Sequence, residues 1–233
     1  MVLASLVYFL VEPEGWTQGQ RLRYWVTRTK YRPMIVIDSH SNNGFKERVQ
    51  AFRTLSKLGE PAVPALIAML SDPDAPTRWQ AAMALGRIGP TAKPAVTGLL
   101  LLLNATNETV NVRQSAGWSL GLIHDKPDAV IPALMNIALV NEIEEIRAGA
   151  TLGLVEFGSE SVPYIVRALD SSNSLIRARA AAVAPACRST LPVARLRQLL
   201  LDEDIGVRKA STNALFNLGV PLRTDRTVLK QQK

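Results

Sequence analysis

An arginine recurs through most of this chain at intervals of 30 to 35 residues. It occupies positions Arg48, Arg78, Arg113, Arg147, Arg177 and Arg208. Three residues after each arginine stands alanine or serine, seven residues after it leucine or alanine, and ten residues after it an apolar side chain. Positions 3, 7 and 10 lie on one face of a helix. The pattern therefore predicts six similar amphipathic helices, each with its arginine near the start.

A turn and a second helix follow each of these first helices. The eleventh position after the arginine holds Gly59, Gly89, His124, Gly158, Arg188 and Gly219. Glycine adopts the left-handed conformation that ends a helix without a side-chain penalty. A proline follows in each unit, at Pro64, Pro94, Pro132, Pro163, Pro192 or Pro221, and we expect it in the first turn of the second helix. Such short helices are marginal alone, so the pairs must stack into a solenoid.

The order of arginine, small residue, Ala-Leu-Gly-x-Ile-Gly and a valine-proline second helix resembles the HEAT-like repeats of phycobilisome lyases, over residues 48–219. The resemblance implies an all-α, right-handed α-solenoid of about six helix pairs, with second helices on the concave side. It also implies ladders that join adjacent units, in which Asp72, Asp170 and Asp202 pair with repeat arginines. Repeats of this kind serve scaffolds, chaperone-like adaptors and a few enzymes.

Residues 45–222 form the predicted solenoid, and residues 223–233 a polar basic tail. Residues 1–44 form an irregular arm with an extended run at 34–38 and a tight turn at Asn43 and Gly44. Residues 1–11 are apolar except for Ser5, but they are too short to span a bilayer. They are part of an anchor, an interfacial segment or a cap on the first unit. Residues 1–32 are the predicted membrane contact, and the candidate partner-binding residues of the arm are Arg21, Arg23, Trp25 and Arg28.

Charge changes sign along the chain, whose net charge is +7. Residues 21–57 carry nine basic and two acidic side chains, residues 108–160 three basic and eight acidic, and residues 163–233 twelve basic and five acidic. A nucleic-acid groove needs a continuous basic stripe, whereas alternating regions suit a protein partner. We therefore expect protein partners and no nucleic-acid ligand.

No group of residues predicts catalysis, a metal site or a cofactor. The chain has one cysteine and two histidines. Cys187 occupies an apolar repeat position and is expected to be a buried, inert thiol. The adjacent Asp38, Ser39 and His40 do not form a triad, since triads are assembled from separated positions. His124 and the tryptophans Trp79 and Trp118 are interpreted as structural, and we expect no small-molecule ligand.

The fifth unit departs from the repeat. Pro185 stands inside its first helix, where it is expected to bend or end the helix. Its second helix carries Arg195 and Arg197. With Arg167 of the fourth unit they form a candidate basic patch on the inner surface, or they are scattered, solvated arginines.

The predicted function is a non-catalytic scaffold or adaptor for protein partners, as a subunit of a membrane-associated assembly. The first alternative is a chromophore or protein-modification lyase or chaperone of the phycobilisome-lyase type. A further alternative is a nucleic-acid-binding HEAT-like protein. The sequence leaves open whether the chain is membrane-associated through its N-terminus or cytoplasmic.

Overall fold

A computed structural model describes residues 17, 20–21, 43–187 and 192–221. These residues contain no β-strand. In chain order the helices are α1 (Asn43–Leu58), α2 (Val63–Met69), α3 (Ala75–Ile88), α4 (Val96–Asn104), α5 (Val110–Ile123), α6 (Pro127–Val140), α7 (Glu144–Phe157), α8 (Val162–Leu169), α9 (Ser174–Val183), α10 (Val193–Leu199) and α11 (Ile205–Asn217). Odd-numbered helices are the first helices of units one to six, and even-numbered helices are the second helices of units one to five.

Outside unit five, the first helices stop where the repeat predicts. Gly59, Gly89, Gly158 and Gly219 have positive φ angles, and so does His124 at 51°. The His124 ring packs on Phe157 with ring centroids 4.6 Å apart, and its Nε2 lies 2.9 Å from Oε1 of Glu160. These contacts join the turns of units three and four, which confirms a structural role for this histidine.

The expectation for the prolines is confirmed in part. Pro64 and Pro163 lie in the first turns of α2 and α8. For Pro132 the expectation is wrong, because α6 begins five residues earlier at Pro127 and encloses Pro132. The longer connection in unit three is therefore helical, and α6 has 14 residues where α2 has 7. The tight turn predicted at Asn43 and Gly44 is also wrong, because both residues lie in α1. The extended run at 34–38 falls outside the described residues.

The apolar stripes of both helices meet in one continuous core. Fully buried leucines from first helices are Leu55, Leu85, Leu120, Leu154 and Leu215. Their counterparts from second helices are Leu66, Leu99, Leu134, Ile165 and Leu196. Each unit thus buries its apolar face against its own partner helix and its neighbours, as the short, amphipathic helices require.

The first helices of units three and four touch backbone to backbone. A Cβ atom added to Gly121 of α5 would lie 2.5 Å from the Cα of Gly153 in α7. A Cβ on Gly149 would meet the carbonyl oxygen of Gln114, and one on Gly117 would lie 3.0 Å from the amide nitrogen of Ala150. Only glycine leaves room for this approach. Two glycine pairs, each spaced by four residues, therefore hold α5 against α7.

The layer of first helices is packed more closely than the layer of second helices. Contacts between α3 and α5 and between α5 and α7 are extensive, whereas second helices of neighbouring units touch one another sparsely. Because a stack curves towards its more closely spaced layer, the first helices line the inner side through units two to four. In these units the spacing thus favours the first helices as the concave layer, rather than the second helices expected from the resemblance.

The junction between units four and five is built differently. Helix α9 ends at Val183 and continues as a 3-10 turn through Pro185 to Cys187, which confirms that the proline ends the helix. On the side that faces the earlier units, α9 packs mainly on the second helices α8 and α6. It makes few contacts with α7, the first helix of unit four. Arg179 of α9 donates through Nη1 to the carbonyl oxygens of Leu139 (2.7 Å) and Asn141 (3.2 Å). The close packing of first helices is thus interrupted at this junction.

Candidate functional site

The repeat arginines lie along the edge formed by the loops between units, which we call the loop edge. Arg78 donates through Nη1 to the carbonyl oxygens of Asp72 (2.6 Å) and Pro73 (3.0 Å) in the preceding loop. The same contact recurs from Arg147 to Asn141 and Glu142, from Arg177 to Ser171 and Ser172, and from Arg208 to Asp202 and Glu203. The arginine thus satisfies carbonyl groups that follow a helix end and lack helical partners.

Two repeat arginines also bind an acid of the following loop. Arg78 donates to Glu108 through Nε (2.6 Å) and Nη2 (2.8 Å). Arg177 donates to Asp202 through Nε and Nη2, each at 2.8 Å. Both pairs are bidentate, the strongest geometry for arginine and carboxylate. The ladder expected between units is therefore confirmed for Asp202.

For Asp170 the ladder prediction is wrong. For Asp72 it stays a prediction, because the side chain of Arg48, the repeat arginine of the unit before it, lies outside the described part of the chain. The carboxylate of Asp72 accepts from the backbone of Asp74, and Asp170 lies 2.6 Å from Nε of Arg195. Sequence reasoning missed Glu108, although it stands in the loop five residues before Arg113. The arginine reaches forward to the next loop, so the acid should have been sought about 25 to 30 residues after the arginine rather than before it.

These pairs shift the ionisation of their members. The hydrogen bond from Arg78 lowers the pKa of Glu108, and the hydrogen bond from Arg177 lowers the pKa of Asp202. The same bonds raise the pKa of Arg78 and of Arg177. Shifted carboxylates are often catalytic, but here each is engaged by a guanidinium that joins two units. Their role is structural.

The ladder is incomplete at the third and fourth units. Arg113 donates through Nε to the carbonyl oxygen of Leu103, and Arg147 contacts only carbonyl groups among the hydrogen bonds of the described residues. The loops that follow them carry Asn141 and Ser171 at the position where Asp202 stands in unit six. No carboxylate is therefore offered to these two arginines from that position.

The predicted basic patch lies on second helices, which form the outer layer. Arg167 and Arg197 are exposed, whereas Arg195 is paired with Asp170 and also donates to Gln198. Pairing with Asp170 brings Arg195 to the end of the helix that carries Arg167. Of the arm residues, Arg21 is described and has bonding partners, and the remaining three, Arg23, Trp25 and Arg28, lie outside the described residues.

Within the described residues, no three His, Cys, Asp or Glu side chains gather in a way that would hold a metal ion. Cys187 is 3% exposed, and burial raises the pKa of its thiol, which lies 3.5 Å from the hydroxyl of Ser161. Its buried position is as predicted. No helix in the described part of the chain is long and apolar enough to cross a membrane.

A second surface, which we call the first-helix face, lies on the inner side of the stack. It consists of positions 1, 5 and 9 after the repeat arginines of units one to four, which share one helix face, together with Glu145. Its charged and larger apolar members are Arg53, Lys57, Trp79, Met83, Arg87, Trp118, Leu122, Glu145, Leu152 and Glu156, and the remaining positions hold Val49, Gln114 and Ala148. Trp79 and Trp118 are half-buried, so they are packing residues in part, and Leu152 is 46% exposed. The face therefore presents apolar surface that the core leaves uncovered.

These features define a helical-repeat solenoid with an internally bonded edge and an open inner face. The sequence profile of the HEAT repeat family matches two stretches of the chain, residues 40–110 and 96–184. The chain belongs to the HEAT repeat family.

Solved structures resemble the fold at low sequence identity. The archaeal HEAT-like repeats protein from Thermococcus onnurineus NA1 is 14% identical, with a TM-score of 0.53, over 95% of this chain and 88% of that one. The complex of CpcE and CpcF of phycocyanin lyase from Nostoc sp. PCC7120 is 23% identical, with a TM-score of 0.47, over 90% and 79%.

The designed armadillo repeat protein YIII(Dq)4CqI is 16% identical, with a TM-score of 0.46, over 84% of this chain and 99% of that one. Of these three structures, the archaeal protein alone exceeds a TM-score of 0.5, and it shows the fold. A search of curated proteins found no significant match.

Proposed function

We propose that this protein is a non-catalytic adaptor that binds a protein partner through its first-helix face. HEAT repeats form a scaffold suited to protein interaction. The observation that carries the proposal is that the two surfaces carry different kinds of side chain. Carboxylates with a lowered pKa lie on the loop edge, as ladder acids or, for Asp204, as a helix cap. Half-buried tryptophans and an exposed leucine lie on the inner face instead.

Apolar side chains of this size favour a protein ligand. Tryptophan is enriched where protein interfaces are strongest, because it buries a large area and loses little conformational freedom on binding. Trp79, Trp118, Met83 and Leu122 are all half-buried in the free chain. An apolar ligand surface that covers them removes further area from water, at about 25 cal/mol per Å² before the costs of association.

The N-terminal arm is proposed as a second contact. Its candidates Arg21, Arg23, Trp25 and Arg28 combine positive charge with an aromatic ring. Residues 1–32 are proposed to reach an anionic membrane surface, to which clustered basic residues are attracted. A membrane-associated assembly is thus the proposed setting. Flotation of the full chain with anionic vesicles, compared with a chain that lacks residues 1–32, tests this part separately.

The test of the adaptor proposal is a binding experiment on the folded, full-length chain. A displayed library of random 20-residue peptides is selected on the immobilised protein, and duplex DNA, single-stranded DNA and a bilin mixed with an acceptor protein are tested in parallel. We expect saturable peptide binding that is lost when Trp118→Ala and Leu152→Ala are combined. Nucleic acid that binds with a steep salt dependence and no peptide selection contradicts the proposal. So does a bilin that becomes covalently attached to an acceptor protein.

A further inference from the structure

Charge on the first-helix face changes sign along the stack. Its unit-one and unit-two end carries Arg53, Lys57 and Arg87, all exposed. Its unit-four end carries Glu145 and Glu156, also exposed. The half-buried apolar side chains lie in units two and three, between Arg53 and Lys57 of unit one and the two glutamates of unit four. The face is therefore basic, then apolar, then acidic in the order of the units.

None of these charges is neutralised within the described part of the molecule. Arg53, Lys57 and Arg87 make no ion pair there, and neither do Glu145 and Glu156. Like charges that face one another without counter-charges repel, so this arrangement brings the folded chain no stability. A ligand that supplies the opposite charges gains from both ends.

A shallow pocket marks the basic end. It lies between α1 and α3 and is lined by Phe52, Arg53, Gln80, Met83, Ala84 and Arg87. Its lining combines the apolar residues Phe52, Met83 and Ala84 with Arg53 and Arg87. This combination suits a carboxylate that lies next to an apolar side chain, because guanidinium binds carboxylate with directed hydrogen bonds.

We propose that the first-helix face binds a protein segment that is acidic at its unit-one end, apolar in the middle and basic at its unit-four end. This rests on the function proposed above and specifies the chemistry of the partner. Complementary charges fix the direction in which the segment lies and exclude the reversed orientation. The apolar middle supplies most of the affinity.

The size of the face sets the length of the segment. Neighbouring helix axes lie about 8 Å apart in closely packed layers, so four first helices span roughly 24 Å. A helix of about 16 residues covers this span at 1.5 Å per residue, and an extended segment of about 7 residues covers it at 3.3 Å. A library of 20-residue peptides includes both.

The acidic end argues against nucleic acid on the same face. A phosphate backbone attracted to Arg53 and Arg87 would approach Glu145 and Glu156 if it continued along the stack, and its affinity would fall. A protein segment avoids this repulsion because its charge can change sign along its length. The observations therefore favour protein over nucleic acid.

Charge reversal with matched controls tests the inference. We expect the peptides selected on the full chain to be acidic at one end and basic at the other. Against one such fluorescent peptide, the double variant Arg53→Glu with Arg87→Glu should weaken binding at least about tenfold, or about 1.4 kcal/mol. A peptide whose acidic end is changed to lysine should recover affinity for that variant.

The control Arg167→Glu with Arg197→Glu makes the same charge change on the outer layer and should shift affinity less than about twofold. Circular dichroism verifies that each variant is folded.

Three results separate the inference from the function on which it rests. If selected peptides bind but carry no charge polarity, or if the Arg53 and Arg87 variant binds them unchanged, the inference is wrong and the adaptor function stands. If the Arg167 and Arg197 variant alone loses binding, the binding surface is the outer patch, and the inference is again wrong. If no peptide is selected, both the inference and the proposed function fail.

Discussion

Two arginines of α3 show how differently the two surfaces use charge. Arg78, on the loop edge, binds Glu108 through two hydrogen bonds of 2.6 and 2.8 Å and also donates to two carbonyl groups. Arg87, nine residues further along the helix and on the first-helix face, is exposed and makes no ion pair with any described residue. The first arginine holds neighbouring units together. The second is available to a partner.

The difference teaches that the position of a charge within the repeat matters more than the amount of charge. On the loop edge, an arginine that lost its acid would leave a half-buried group without compensation, which is costly. On the first-helix face, the charges are already solvated, so they can change without loss of stability. Four predictions test this contrast, ordered from the largest expected effect to the smallest.

The largest effect concerns the backbone contact beneath the first-helix face. Gly153→Ala places a Cβ against the carbonyl oxygen of Gly117 and 2.9 Å from Leu134. Since backbone atoms cannot rotate away, we expect a loss of roughly 3 kcal/mol or more in the free energy of unfolding. Urea unfolding followed by circular dichroism measures it. The control is Gly98→Ala in α4, where the new Cβ meets only the end of the Leu70 side chain at 3.0 Å. Equal losses for the two variants would contradict the backbone contact.

The second effect concerns the ladder. Arg78→Met removes both bonds to Glu108, whose side chain is 7% exposed, and leaves that carboxylate without its guanidinium. We expect a loss of about 2 kcal/mol, less than for a fully buried pair because Arg78 is partly solvated. The matched control on the same helix, Arg87→Met, should stay within about 0.5 kcal/mol of the wild type. Chemical denaturation compares them, and a similar loss for both variants would show that the two surfaces do not differ.

The third effect is a loss of stability in acid. The pKa values of Glu108 and Asp202 are lower in the folded chain than the ordinary values of 4.5 and 3.8. Their contribution is therefore complete above about pH 4.5 and declines as the pH falls through the folded values. The glutamine of the Glu108→Gln variant cannot be protonated in this pH range. The stability of this variant should therefore fall less steeply below about pH 4.5 than that of the wild type. Thermal unfolding at a series of pH values measures both slopes. Parallel slopes would mean that Glu108 does not contribute.

The smallest effect on stability is expected on the first-helix face. The double variant Arg53→Glu with Arg87→Glu should change the free energy of unfolding by no more than about 0.5 kcal/mol, because both side chains are exposed and form no ion pair with a described residue. Urea denaturation measures this change from the shift of the midpoint, provided that the dependence of the unfolding free energy on urea concentration is the same for both proteins. A large loss would assign these arginines to the fold rather than to a partner.

The repeat itself was predictable because its physical causes are local. A period of about 30 residues, an apolar face at positions 3, 7 and 10, and a residue suited to positive φ at position 11 specify each helix and its end. Even the replacement of glycine by His124 could be read as structural. Pro185 was expected to bend or end its helix, and the helix ends, since proline removes a backbone donor.

Properties that depend on neighbouring units were harder to predict. Glu108 binds an arginine 30 residues earlier. It stands five residues before Arg113, so a search confined to aspartates six or seven residues before each arginine could not find it. The inner position of the first helices follows from spacing between helices, which no single unit encodes. A signal for it was present nevertheless. Gly117 and Gly121 in one unit, and Gly149 and Gly153 in the next, share a spacing of four residues that typifies close helix contact.

The paired glycines of α5 and α7 also bear on how such an array can change over generations. A repeat protein is readily altered by duplicating, deleting or exchanging single units. Units three and four fit only each other in this respect, because a unit with larger residues in place of Gly149 and Gly153 would collide with the backbone of α5. Recombination would have to carry both units together. The smallest heritable block at this point in the chain is therefore the pair.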